Sequence, residues 1–199
     1  MNADTILANP DIIQLQSFIS EPNAITIVIH SKQKRPLCPN CHQPSASLHS
    51  HYQRAVADLP WHNVSVKLRL KTRKFRCRNE VCQRRIFCER LPDVVEACAR
   101  KTCRLDSALT WLAFALGGEA GARTAERLRI KTSGDTLLRM IRRTAGKQSS
   151  SPVDYEPKVI GVDDWAWRKG YTYGTIIVDL ERRKVIDLLP DREAGTLTN

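Results

Sequence analysis

The chain has 199 residues, 42% of them hydrophobic, which suits one medium domain or two to three small ones with packed cores. Its formal net charge of +11 points to a polyanionic partner, nucleic acid before others, because unneutralised positive charge repels itself. No apolar run approaches the roughly 20 residues of a membrane helix, and MNADTILANPDIIQ lacks the basic and apolar regions of a signal peptide, so a cytoplasmic, nucleoid-associated protein is expected.

The charge is unevenly spread. Residues 1–150 carry 25 Lys+Arg against 12 Asp+Glu, whereas residues 151–199 carry 7 against 9. The first part is suited to a phosphate backbone, and the second keeps carboxylates for another purpose.

In chain order, residues 1–36 offer a short apolar segment and then a strand at Ile25–Ile29. Residues 37–92 hold two cysteine pairs, Cys38-x2-Cys41 and Cys77-x4-Cys82. An odd cysteine count of seven without a leader favours thiolates on a metal over disulfides. Four thiolates meet the tetrahedral preference of a structural Zn2+, so a zinc-ribbon-like finger is expected, against the plainer alternative of packed free cysteines. His42, His49, His51 and His62 lie close enough in sequence for one to replace a cysteine, and Cys88, Cys98 and Cys103 read as core residues.

Between the pairs, Val64, Val66, Leu68 and Leu70 alternate with Ser65, Lys67, Arg69 and Lys71, a half-buried strand with a basic outer face. The basic run continues through Arg73, Lys74, Arg76, Arg78, Arg84, Arg85 and Arg90. Phosphate contact explains it better than a merely solvated face, because few acids balance it.

Residues 104–146 read as three short helices: one from Asp106 to Gly117-Gly118, a second through GARTAERLRI, and a third opened by the capping types Thr132, Ser133 and Asp135. The order fits a helix-turn-helix as well as it fits an ordinary three-helix unit. In the first case Ser133, Asp135, Thr136 and Arg139 are candidate base readers, and Arg142 and Arg143 phosphate clamps. Residues 147–157 read as a linker. Residues 158–199 then offer three strands, KVIGVDD, YGTIIVDLE and KVIDLLP, spaced as an antiparallel meander. The first ends on Asp163 and Asp164, whose side chains face opposite ways in an extended segment. Either starts a turn or serves as a metal ligand.

CPNC with FRCRNEVCQRRIF, the helical stretch, and VIGVDDWAWRKGYTYGTIIVDLERRKVIDLLPDRE together resemble the N-terminal part of the insertion-sequence transposases of the ISL-three family, from about Cys38 to Glu193. The resemblance implies a zinc finger and a helix-turn-helix on element-end DNA, followed by an RNase H-like domain with a DDE triad working on Mg2+ or Mn2+. It makes Asp163 the first acid of the triad, with Asp164 as runner-up. The overall expectation is an α+β multi-domain chain: ribbon-like finger, helix-turn-helix unit and partial RNase H-like β-meander. The chain ends at Asn199, before the later acids of the triad. It is therefore expected to bind double-stranded terminal-repeat DNA without cutting or joining it, with room for a homo-oligomer on the DNA. Two rivals stand beside this: a non-catalytic zinc-dependent DNA-binding regulator or transposition repressor, and a zinc-stabilised RNA-binding module.

Overall fold

The computed structural model describes residues 9–148, 157–168, 170 and 172–197. The chain divides into two compact units, Met1–Lys147 and Gln148–Asn199. Most of the expected linker at 147–157 lies outside the described residues.

The first unit begins with a sheet. Strands β1 (Ile13–Glu21), β2 (Ala24–Ser31), β3 (Leu48–Trp61) and β4 (Val64–Arg76) stand in the order β1-β2-β4-β3, and β5 (Ile86–Cys88) pairs with the end of β4. The strand expected around Ile25–Ile29 is β2, and the apolar segment before it is also a strand, antiparallel to β2. β2 and β4 run parallel, while β3 and β4 form an antiparallel hairpin. That hairpin turns on His62 and Asn63, both at positive φ, the conformation a tight two-residue turn requires.

The alternation in β4 is as expected: Val66, Leu68, Leu70 and Thr72 are buried, and Lys67 and Arg69 are exposed. The buried side meets Ile13, Ile27, Ile29 and Val56 and is closed by Leu91, Val94 and Val95. β3 was not legible beforehand, because LHSHYQRAVADLPW supplies only Val56 as a fully buried apolar side chain. It lies at the edge of the sheet, where polar residues are tolerated.

The helices follow as α1 (Cys103–Arg127) and α2 (Gly134–Gln148). Thr102 caps α1, its Oγ1 accepting from the Leu105 N–H at 3.2 Å, so the helix starts three residues before Asp106. Gly117, at φ 74 and ψ −164, interrupts it. The expected break between first and second helices therefore falls on this one residue, and helical geometry resumes at Gly118. Leu105, Leu109, Ala113 and Ala125 of α1 pack with Leu137 and Met140 of α2. The helices come close at Gly121, where a Cβ would stand 2.8 Å from Leu137 Cδ1. α1 ends in a Schellman motif: Arg129 N–H donates to Glu126 O, and Ile130 N–H to Ala125 O, both at 2.9 Å. Arg129 holds the left-handed position at φ 62, which costs a residue with a side chain about 1 kcal/mol. Among the described residues no helix is long and apolar enough to cross a membrane.

A buried carboxylate joins the sheet to the helices. Asp58 of β3, whose side chain is 0% exposed, accepts from Thr102 Oγ1 at 2.7 Å and Arg104 Nε at 2.7 Å, and also from an Arg104 terminal nitrogen. The bond to Asp58 keeps the Arg104 guanidinium more firmly protonated than usual. Beside it, Ala57 N–H donates to Arg100 O and Thr102 N–H to Ala57 O, each at 2.9 Å.

The second unit is the expected antiparallel meander: β6 (Ile160–Arg168), β7 (Thr172–Asp179) and β8 (Lys184–Leu189), in that order, with a short helix α3 (Ala194–Leu197) after it.

Replacing Asp58 by Ala strands the Thr102 hydroxyl and half of the Arg104 fork at once. Because Arg104 keeps some access to water, the expected cost is about 3 kcal/mol, near the lower end for a broken buried pair. Urea unfolding of the zinc-loaded protein should show this as a lower midpoint.

Candidate metal centre and nucleic-acid interface

Two knuckles carry the four cysteines. In the first, Cys38 N–H donates to Gln43 O at 2.9 Å and His42 N–H to Cys38 O at 2.8 Å, with His42 at φ 56. In the second, Cys77 follows directly on β4, its N–H donating to Arg85 O at 2.8 Å, and Cys82 N–H donates to Asn79 O at 3.1 Å. The β4–β5 pairing closes this knuckle, and Arg76 ties it to the segment after the first one, its N–H donating to Ser47 O at 2.8 Å and its carbonyl accepting from Ser45 Oγ at 2.6 Å. Phe75 and Phe87, stacked with ring centroids 6.0 Å apart, form the floor.

The four Sγ atoms lie within 4.8 Å of one another; Cys38 to Cys82 is 4.0 Å and Cys41 to Cys77 is 3.5 Å. Zn–S bonds of 2.3 Å at the corners of a tetrahedron place sulfurs about 3.8 Å apart. Disulfides need about 2.05 Å. The cluster therefore fits a structural zinc ion and not two disulfides. It contains no histidine, and His42, His49, His51 and His62 are exposed. Cys88 and Cys103 are half-buried, but Cys98 is exposed at φ 61, which corrects the expectation that it packs in the core.

The thiols share their protons unequally. Burial pushes Cys38 up, but N–H groups of Cys41 and Asn40 and the neighbouring thiols outweigh it and bring it down to about 7. Cys77 receives the Asn79 N–H, yet burial and three adjacent thiols drive it up to about 12. The Arg84 N–H lowers Cys82, and Asn40 Nδ2 reaches its sulfur at 3.6 Å. Cys38 and Cys82 thus give up their protons more easily than a free cysteine, whereas Cys77 resists, because each further thiolate repels the others. A divalent cation removes that resistance, and N–H groups on the sulfurs support the charged, metal-binding form.

The basic residues around the ribbon fall into two groups. Arg69 and Arg76 on β4, and Arg84 and Arg85 in the second knuckle, are exposed. Lys74 is exposed as well and lies 5.4 Å from the Tyr52 ring centroid. Arg73 is different: its backbone N–H, Nε and Nη2 all donate to the buried Glu89 carboxylate, and Nη2 also reaches Gln33 O. This two-point pair braces β4 against the segment after β5. The run FRCRNEVCQRRIFCER gave no sign of it.

On the helices, Ser133 precedes α2 and its Oγ accepts from Thr136 N–H at 3.3 Å. Asp135, Arg139 and Arg142 are exposed along α2, with Arg139 Nε donating to Asp135 O. Arg143 is paired with Asp106 of α1.

In the second unit, Asp163 and Asp164 lie inside β6, opposite Ile176 and Thr175 of β7, and the strand continues to Arg168. This corrects the expectation that the strand ends on them; neither starts a turn. Their side chains project from opposite faces. Asp164 is paired with Arg192 at 3.2 Å, and Arg192 in turn lies 3.8 Å from the Tyr173 ring centroid. Asp163 is exposed and accepts from the Asp164 N–H. Among the described residues the four cysteines are the only group placed to hold a metal.

Purified protein should carry one zinc per chain by elemental analysis. Cys77→Ser should lose it and unfold the ribbon, while Cys98→Ser should keep it. Because zinc must displace the Cys77 proton, uptake should release acid and affinity should fall as the pH is lowered.

Comparison with known proteins locates this centre. No curated protein and no solved structure matches the chain. Residues 34–90, which contain both knuckles, match the family model of the zinc-finger of transposase IS204/IS1001/IS1096/IS1165.

Proposed function

We propose that this chain is the DNA-binding part of an insertion-sequence transposase, seating double-stranded terminal repeats through its ribbon and helices. The observation that carries the reading is the transposase-type zinc finger at residues 34–90, built around a four-cysteine cluster and set in a strongly basic unit. The helices are then a helix-turn-helix, with α2 as the reading helix. Ser133, Asp135, Thr136 and Arg139 face base edges, and Arg142 holds a phosphate. Arg69, Lys74, Arg76, Arg84 and Arg85 hold phosphates beside the ribbon.

The meander is the first part of an RNase H-like domain, and Asp163 is its first catalytic acid. The mid-strand position and free exposure of Asp163 favour it over Asp164, which Arg192 already neutralises. Two-metal chemistry, with Mg2+ or Mn2+, needs several carboxylates around one pair of ions. These 199 residues by themselves bind DNA and leave its strands intact, and they suit a repressor of transposition equally well. The duplex is favoured over RNA because the exposed aromatic rings Phe18, Trp111 and Phe114 lie on β1 and α1, off the basic face of β4, where unpaired bases would need them to stack.

Selection of bound duplexes from a random library, followed by titration at several salt concentrations, tests this. Arg139→Ala should relax choice at one base position, at a cost of about 1–3 kcal/mol on the selected site. Arg76→Ala should weaken all duplexes alike and reduce the salt slope by about one. Equal effects of both variants on selected and random DNA would refute the division between reader and clamp. Incubation of the selected duplex with Mg2+ or Mn2+ should leave it uncut, and nicking abolished by Asp163→Ala would overturn the inactive assignment.

A further inference from the structure

Away from the ribbon, a cleft of about 500 Å3 opens between the sheet and the turn joining α1 to α2. β4 contributes Lys67, the segment before α1 contributes Arg100, and the inter-helix turn contributes Arg129, Lys131 and Thr132. A second cleft of about 330 Å3 shares Ser65, Arg129, Ile130 and Lys131 with it, so the two form one track along the turn. Lys67 belongs to the basic face of β4, but Arg100, Arg129 and Lys131 belong neither to the reading helix nor to the phosphate contacts assigned above.

Three observations set the track apart from an ordinary solvated surface. Lys67, Arg100, Arg129 and Lys131 are all exposed, and none has an ion-pair partner among the described residues. Asp58, the acid in the larger cleft, is already neutralised by Arg104, and Glu126 lines the smaller one. Thr132 lines the larger cleft, and its Oγ1, shielded from solvent, has no hydrogen-bond partner among the described residues. Finally, Arg129 occupies the left-handed position of the Schellman motif, where glycine is the ordinary residue. Ile130 packs against the helical core directly after it, so the backbone that carries the guanidinium is fixed. Strain of this kind, at a side chain aimed into a cationic concavity, is what a binding site retains.

The geometry points to a second DNA-backbone seat in this track, with Arg129 as its anchor and Lys67, Arg100 and Lys131 along it. This rests on the DNA-binding reading and adds a contact point between the ribbon side of the sheet and the start of α2. Thr136, which lines the cleft and belongs to the first turn of α2, makes the seat continuous with the reading helix.

The test uses Arg129→Gly, which the backbone conformation accepts, in the zinc-loaded full chain with a labelled 30-base-pair duplex. The variant should melt no lower than the wild type, yet bind the duplex about 3- to 10-fold more weakly at moderate salt, with a salt slope reduced by about 0.9. Lys131→Gln should show the same loss of slope. If the wild type binds the duplex and both variants bind it equally well with unchanged slope, the seat is refuted while the DNA-binding reading stands. If the wild type binds no duplex, both fall. If inorganic phosphate at millimolar concentration shifts the Arg129 region of the NMR spectrum while both variants hold the duplex as tightly as wild type, the track is a free-phosphate site and the proposal is overturned.

Discussion

The burial of Asp58 is the constraint on which the first unit depends. An unpaired carboxylate with 0% exposure would cost several kcal/mol, so the protein can fold only if cations and donors are delivered to it. All of them come from one place, the first residues of α1, where Thr102 is both helix cap and donor to Asp58 and Arg104 supplies a fork. The start of α1 is thereby fixed against β3 in position and direction. A hydrophobic contact would hold the same surfaces together without choosing a register; the hydrogen-bonded carboxylate chooses one. Asp58 and Leu105, near that junction, line the basic cleft between β4 and the α1–α2 turn, so the same contact borders it.

The second carboxylate of this kind, Glu89, does for the ribbon what Asp58 does for the helices. It draws the Arg73 backbone and guanidinium onto the segment after β5, close to where β4 delivers Cys77. Metal binding and this brace therefore act on the same strand. Zinc closes the knuckles at one end of the β4–β5 pairing, and the Arg73–Glu89 fork holds it only a few residues away.

How far the sequence disclosed this differs by element, for physical reasons. The cysteine pairs were legible because spacing alone limits which thiols can share an ion, and the 38, 41, 77 and 82 set is the one the fold assembles. β4 was legible from strict alternation, and the helix break from Gly117-Gly118. β3 was hidden, since an edge strand stabilised through Asp58 needs no apolar stripe. Asp163 and Asp164 looked like a strand end because two adjacent acids stop an apolar run, yet one faces away from the other and Arg192, almost thirty residues on, neutralises the second. Arg129 carried no signal at all: a positive φ on an arginine is invisible until the turn is built.

Charge counted along the sequence also overstated what is free to bind. Among the cations of the first unit, Arg73 and Arg104 are committed to buried acids, and Arg143 and Lys101 share Asp106. These hold the architecture, and a phosphate could recruit them only by breaking the pair that positions them. Arg69, Arg76, Arg84 and Arg85 at the ribbon, and Lys67, Arg100, Arg129 and Lys131 at the cleft, have no such commitment to an acid and stay hydrated until a polyanion releases its counterions to them. Of the described acids in the first unit only Asp58 and Glu89 are buried, where they fix strand to helix and ribbon to sheet; exposed acids such as Glu126 and Asp135 share the surface with the uncommitted cations, so the positive field is concentrated in local tracks. Moving either buried acid to the surface would cost the fold a brace and leave Arg104 or Arg73 without the partner that positions it, which is why these two carboxylates, unlike the exposed ones, cannot be traded for surface charge.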